Sequence, residues 1–234
     1  HCVTRRQRQM CIRDRVLPRS KGYTYESGLQ IPLVVYVPEK WKHLIPFDRG
    51  SRSQTFVEFI DLAPTALALA GVTVPTGMDG TPVMGKIVQK SEIQNKNTAF
   101  GYADRFDEKY DLVRTLRVGK YKYTRNYQPF NIDALFNFYR YKILAYKEWL
   151  SLYGEGKLND VQSQFFEPKS PEALYNIDQD PHEINDLSNS ENHQEILLRM
   201  RGQLHERIKE MPDLSFYPEP YLLNNAIVNP TAFG

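Results

Sequence analysis

From Pro32 to Pro38 the chain is apolar without interruption, and Val34, Val35 and Val37 are β-branched. A short apolar run bounded by prolines predicts a strand buried on both faces, the kind found in parallel sheets covered by helices. Lys40 to Ser53 is polar and carries Gly50, which predicts a surface loop, and Val57-Glu58-Phe59-Ile60 predicts a second short strand. Asp61 then stands as an N-cap before Leu62-Ala63-Pro64-Thr65-Ala66-Leu67-Ala68-Leu69-Ala70, with Pro64 in the first turn and Gly71 closing the helix. Strand, capped helix and glycine make a βα unit of an α/β domain. Gly80 to Asn97 is polar and broken by Pro82 and Gly85, so it predicts a connector ending in a subdomain boundary.

Beyond that boundary the period changes. Asp111 to Arg117 and Lys120 to Tyr127 alternate in character around Val118-Gly119, which predicts an antiparallel hairpin. Its Lys/Arg/Tyr alternation fits a solvated strand face with inward aromatics better than a single-stranded nucleic-acid platform. Leu135 to Tyr153 is aromatic and irregular in period, and is read as helical. In Leu174 to Leu187, Asp178, Asp180, His182, Glu183 and Asp186 look like oxygen and nitrogen ligands for a metal, but they lack the spacing of an EF-hand calcium loop, so the segment reads as a solvated turn. Ser188-Asn189-Ser190-Glu191 has the form of a capping box before a helix whose apolar stripe is Ile196, Met200, Leu204 and Ile208, flanked by Leu197 and Met211. Pro212 ends that helix, and the tail to Gly234, with Pro218, Pro220 and Pro230, is expected to be extended or mobile.

Charge depends on which residues are counted. Residues 1–15 share no pattern with the rest, and Met10-Cys11-Ile12-Arg13-Asp14-Arg15 looks like translated sequencing-adapter DNA, so 1–15 is read as a scar and set aside. Of 30 Lys and Arg and 28 Asp and Glu, that segment holds five and one, leaving a remainder with net charge −2. The whole-chain charge of +2 is then no evidence for nucleic acid or acidic lipid. Both cysteines, Cys2 and Cys11, lie in the same segment, so residues 16–234 form neither a disulfide nor a thiolate metal site. No run of about 18 apolar residues could span a bilayer as a helix.

Immediately before the first apolar run lies Ser20-Lys21-Gly22-Tyr23-Thr24-Tyr25-Glu26-Ser27-Gly28, a lysine in a small-residue turn feeding a buried strand, which is an anion-binding layout. It closely resembles the sulfatase family of the alkaline-phosphatase superfamily, in which Lys-Gly-x-x-Tyr-Glu-x-Gly leads into an apolar strand and the lysine holds the substrate sulfate. Phe59-Ile60-Asp61-Leu62-Ala63-Pro64-Thr65, Ala70-Gly71 to Pro75 and Met78-Asp79-Gly80 are similar to a further run of the same family, and the acid-rich turn to a third. Asp61 nevertheless reads as a helix cap rather than a catalytic acid.

The resemblance implies an α/β fold: the remnant of an alkaline-phosphatase-like mixed sheet with helices over 16–96, then a small C-terminal subdomain with an antiparallel sheet and a terminal helix over 97–234. It implies a truncated sulfatase whose full-length parent hydrolyses sulfate esters, on a carbohydrate, with a formylglycine nucleophile and calcium, and is periplasmic or secreted. Sulfatase chemistry needs a nucleophile, a divalent cation and fixed positive charge; only the last is visible. No Cys/Ser-x-Pro-x-Arg motif occurs in 16–234, Cys2-Val3-Thr4-Arg5-Arg6 lacks its proline, and the calcium pair is expected just before Val16. Lys21 is the expected sulfate-binding and catalytic residue, with Arg19 and Arg105 as further substrate contacts; Tyr102, Asp104 and Arg114 are held near the substrate mouth, and Glu26 is read as bonding the turn. Two other readings are a phosphodiesterase or phosphonate monoester hydrolase of the same superfamily, and a non-catalytic module binding sulfated glycans.

Overall fold

The computed structural model describes residues 18–106, 108–211, 213–226 and 228. The segment read as a scar, and the sequence just before Val16, lie outside the described residues. The chain divides into two compact units, one formed by residues up to 31 with 100–116 and 120–234, the other by 32–99 with 117–119.

The first unit is built on a four-stranded sheet in the order β1-β2-β3-β4, with β1 Thr98–Phe106, β2 Lys109–Val118, β3 Tyr121–Asn126 and β4 Glu172–Asn176. The β2–β3 hairpin is the one the alternation predicts, and Gly119 turns it with φ +56° in the left-handed region. The solvated charged face expected of it is absent, since Lys109, Asp111, Arg114 and Lys122 are all buried in ion pairs. β3 and β4 pair antiparallel with Tyr123 opposite Leu174 and Arg125 opposite Glu172. In the helical layer, α1 is Glu26–Leu29. After α2 Leu62–Leu69 and α3 Lys90–Gln94 of the other unit come α4 Phe138–Tyr141, α5 Leu144–Gly154, α6 Asp160–Ser163, α7 Gln194–Glu210 and α8 Glu219–Asn225.

An aromatic core lies beneath α5, where Tyr23, Tyr146, Phe165 and Phe166 are buried and Trp149 stacks on Phe165 at 4.4 Å between centroids. The stripe of α7 is Leu197, Met200 and Leu204, each no more than 2% exposed, with Ile196 and Ile208 half-buried. The capping box before α7 does not form. Asp186 takes the Ser188 N–H and hydroxyl, both at 2.9 Å, and a 3-10 turn Glu191–His193 precedes the helix instead. The tail is also not simply extended: Leu214–Phe216 is a 3-10 turn and α8 follows, because Asp213 anchors it to the sheet through a two-pronged bond to Arg114 (2.6 and 2.8 Å).

In the second unit neither predicted strand forms, and before Thr98 no described residue is in a strand. Pro32 to Pro38 has no ladder partner among the described residues, and all its side chains but the half-buried Val37 are exposed, Val34 at 91%. Phe59–Asp61 is a 3-10 turn running straight into α2. Asp61 therefore stands at the N-cap position of α2 but makes no side-chain bond into that helix. Its buried carboxylate accepts from Glu58 N–H (2.8 Å) and Thr81 N–H (3.0 Å) and pairs with Lys96. Gly80 closes the same knot, since a Cβ there would lie 2.0 Å from the Ile60 carbonyl oxygen. Gly71 ends α2 in the left-handed region (φ +74°).

Candidate functional site: the Lys21 turn

The turn is shaped by its glycines. Gly22 adopts φ +81°, Tyr23 N–H donates to the Ser20 carbonyl at 3.1 Å, and the chain then doubles back into the single turn of α1. Gly28 passes so close to the start of the turn that a Cβ would lie 2.3 Å from the Ser20 oxygen and 2.8 Å from that of Tyr23. Both motif glycines thus answer to geometry, one through its dihedral and one through contact. The Ser27 hydroxyl adds a bond to the Arg19 carbonyl at 2.6 Å.

Buried charge then fixes the turn to the sheet. Lys122 of β3 is wholly buried; its ammonium lies 3.4 Å from Glu26 and 3.1 Å from Glu183, and it also donates to the Thr24 carbonyl. Glu183 accepts from the Glu26 N–H at 2.6 Å. Burial pushes the Glu183 carboxyl above the usual range, and Lys122 opposes that shift. Arg19 and Glu183 are the two non-glycine residues with positive φ among those described, +57° and +52°, and they meet: Arg19 Nη2 donates to the Glu183 carbonyl at 3.0 Å. Such dihedrals persist only where the surroundings over-determine them.

On the other side, the Tyr23 hydroxyl donates to the Asp133 carbonyl (2.8 Å) and that of Tyr25 to the Asp133 carboxylate (2.5 Å). Burial raises the pKa of both phenols, so they stay protonated donors. Arg140 of α4, 2% exposed, spans the turn, donating to Tyr23 Oη at 2.9 Å and to the Lys21 carbonyl at 2.8 Å. Behind the turn is a cleft of about 250 Å³ lined in part by Tyr23, Tyr25, Lys109, Asp111, Asp133 and Lys169. Its two ammonium groups face two carboxylates, with Lys109 3.6 Å from Asp111 and Lys169 3.7 Å from Asp133, so the cleft is an ion-pair network rather than a cationic hole. Burial lowers Lys109 to about 8.

Lys21 sits half-buried at the head of this construction, its backbone held by Arg140. Arg19 is two residues away, its guanidinium 3.8 Å above the Tyr25 ring. Arg105, near the end of β1, is engaged with other partners: the Tyr217 carbonyl at 3.3 Å, Glu219 at 3.8 Å and the Tyr110 ring. Asp104 and Arg114 bind Ser215 and Asp213 and belong to the anchoring of the tail. Lys122, Asp133, Arg140 and Glu183, which position the turn, carry no sequence signal of that role; each lies more than 90 residues from it, in a strand, a loop, a short helix and the acid-rich turn.

Among the described residues no group of three or more His, Cys, Asp or Glu is placed to hold a metal ion. Two acids of the 178–187 turn, Asp180 and Asp186, are committed to the backbone. Asp180 accepts from Ile184 and Asn185 (2.8 and 2.7 Å), and Asp186 from Leu174 and Ser188 (2.9 Å each). The described residues do not fit the metal that a sulfatase uses. No described helix is long and apolar enough to cross a membrane.

The family described as "N-sulphoglucosamine sulphohydrolase, C-terminal" matches residues 19–167, starting at the turn and extending past the aromatic core. The chain belongs to this family of sulfatase C-terminal portions. An ulvan-active sulfatase of Formosa agariphila is 32% identical over 209 residues, covering 89% of this chain and 33% of that protein. A second ulvan-active sulfatase of the same organism is 22% identical over 192 residues, covering 81% and 35%. A solved 2-O GAG sulfatase aligns with TM-score 0.40 at 19% identity, over 66% of this chain and 25% of that one. The chain thus spans about a third of the length of the curated relatives it matches.

Proposed function

We propose that this chain is the C-terminal portion of a carbohydrate sulfatase and that Lys21 supplies the fixed positive charge that holds the sulfate group. The observation that carries this is the over-determination of the Lys21 backbone. Arg140 holds its carbonyl, Gly28 closes against Ser20, and the Glu26–Lys122–Glu183 ions lock the following helix. A structure that spends buried charges on positioning a half-buried lysine suits a group that must meet an anion in one place. Lys21 pairs with a non-bridging sulfate oxygen and steadies charge as the ester bond breaks. Arg19, clamped by Glu183 and Tyr25, adds positive potential beside it; Arg105, whose side chain is 30% exposed, is the outer contact to the glycan. Membership of the family and the ulvan-active relatives support a sulfated polysaccharide as substrate. On this reading the formylglycine and the calcium come from residues outside those described, and the protein works outside the cytoplasm.

The test is kinetic, on the complete protein. Lys21→Ala should lower kcat/KM for sulfate esters by roughly 100-fold, the size expected for one oriented charged donor, and Lys21→Arg should recover part of it. A fall of less than about threefold would sink the assignment.

A further inference from the structure

The segment 136–142 is folded inside out. Two of its polar side chains point inward, Asn137 wholly buried and Arg140 2% exposed, while Phe136, Phe138 and Tyr139 are 62%, 56% and 47% exposed and Lys142 is exposed with them. Exposed large aromatics over a buried amide and a buried guanidinium reverse the usual preference and mark a surface with a use. Two of the rings have defined neighbours. Phe136 lies flat on Tyr141 with centroids 5.5 Å apart and planes within 6°, and the Tyr141 hydroxyl is fixed to the Ala134 carbonyl at 2.9 Å. The Lys142 ammonium lies 4.1 Å from the Phe138 ring centroid. Asn137 caps α4 by accepting from Arg140 N–H at 3.0 Å, and Glu108 receives the Phe138 N–H at 3.3 Å.

We propose that Phe136 and Phe138 form a sugar-stacking shelf for a neighbouring residue of the sulfated glycan whose sulfate meets Lys21, a reading that rests on the function proposed above. Continuity carries the assignment: Arg140, at the centre of the shelf segment, donates directly to the Lys21 carbonyl at 2.8 Å and to Tyr23 Oη at 2.9 Å, so the shelf segment holds the turn itself. Chemistry selects the occupant. A sugar ring offers a face of C–H groups to a flat aromatic, and an adjoining sulfate or carboxylate suits the Lys142 ammonium. A small sulfate ester fills the Lys21 site without reaching the shelf; a polysaccharide engages both, which makes the shelf a determinant of polymer specificity.

The complete protein and its Phe136→Ala/Phe138→Ala variant should be compared on ulvan oligosaccharides and on 4-nitrophenyl sulfate. The expected result is a loss of about tenfold or more in kcat/KM on the oligosaccharides, the size of one or two ring contacts, with the small ester unchanged and Phe136→Trp close to wild type. Equal losses on both substrates with a lower melting temperature would show that another part of the protein covers these rings, and would overturn the proposal, as would no loss on either. Migration through gels containing ulvan gives a readout independent of turnover. Retardation that depends on Phe136 in a protein releasing no sulfate would leave the shelf standing and remove the sulfatase reading; retardation unaffected by the double substitution would remove the shelf.

Discussion

Lys122→Met removes the charge that joins the Lys21 turn to the sheet while keeping an apolar stem of similar length. In the wild type the ammonium lies 3.4 Å from Glu26 and 3.1 Å from Glu183 with no exposure to water. Its loss leaves two buried carboxylates facing each other and an unmatched Thr24 carbonyl, and breaking a buried ion pair from one side costs about 3–5 kcal/mol. The variant should show this loss in urea unfolding at pH 8, followed by the fluorescence of Trp149 in the aromatic core. Acid should reduce the deficit. Burial already raises the folded Glu183 carboxyl above its unfolded value, and without Lys122 it rises further. Between the unfolded and folded values the native state binds a proton that the unfolded state has released, so stability falls as pH rises through that window and returns as pH falls. The deficit of Lys122→Met should therefore shrink from pH 8 to pH 5, and Lys122→Met/Glu183→Gln should recover part of it at pH 8. A loss under about 1 kcal/mol, or one that deepens on acidification, would refute the argument that these ions hold the turn.

Gly28→Ala should cost about 1–3 kcal/mol by overpacking and lower sulfate-ester turnover with it, because a Cβ 2.3 Å from a carbonyl oxygen must displace the backbone that positions Lys21; unchanged melting temperature and turnover would contradict this. Lys109 titrates near 8 when folded against 10.5 for the unconstrained side chain, so the unfolded state binds the extra proton between those values and stability should rise with pH across them, by up to roughly 3 kcal/mol. Lys109→Met should abolish that rise relative to wild type in unfolding curves at pH 8 and 10. Hydrogen exchange across 31–37 should be fast in residues 18–234 alone and slow in the complete protein, if the apolar run docks as a strand there; fast exchange in both would show that it has no partner strand.

The sequence made local chemistry legible and long-range partnership illegible. The β2–β3 hairpin could be read because alternation and Gly119 are both local, and the stripe of α7 because period 3.6 is written into Leu197, Met200 and Leu204. The run 32–38 has the composition of a buried strand, yet a strand is defined by its neighbour, and no described residue supplies one. Asp61 illustrates the same limit more finely. It was legible as a structural acid before a helix, but its partners Thr81 and Lys96 come from well beyond that helix. At the site, Lys21 and its glycines stood out as a motif, whereas Lys122 and Arg140 are ordinary cations of a strand and of an aromatic stretch until the fold buries them against the turn. From the sequence Arg114 is placed near the substrate mouth, and the structure commits its guanidinium to Asp213 of the tail.

The most direct measurement of the central claim is product analysis with the complete protein, given ulvan and, separately, bis(4-nitrophenyl) phosphate. Release of inorganic sulfate from the polysaccharide, lost in Lys21→Ala, with phosphodiester cleavage slower by orders of magnitude, is the predicted result. Cleavage of the phosphodiester without release of sulfate would contradict it and make the Lys21 turn a phosphate site.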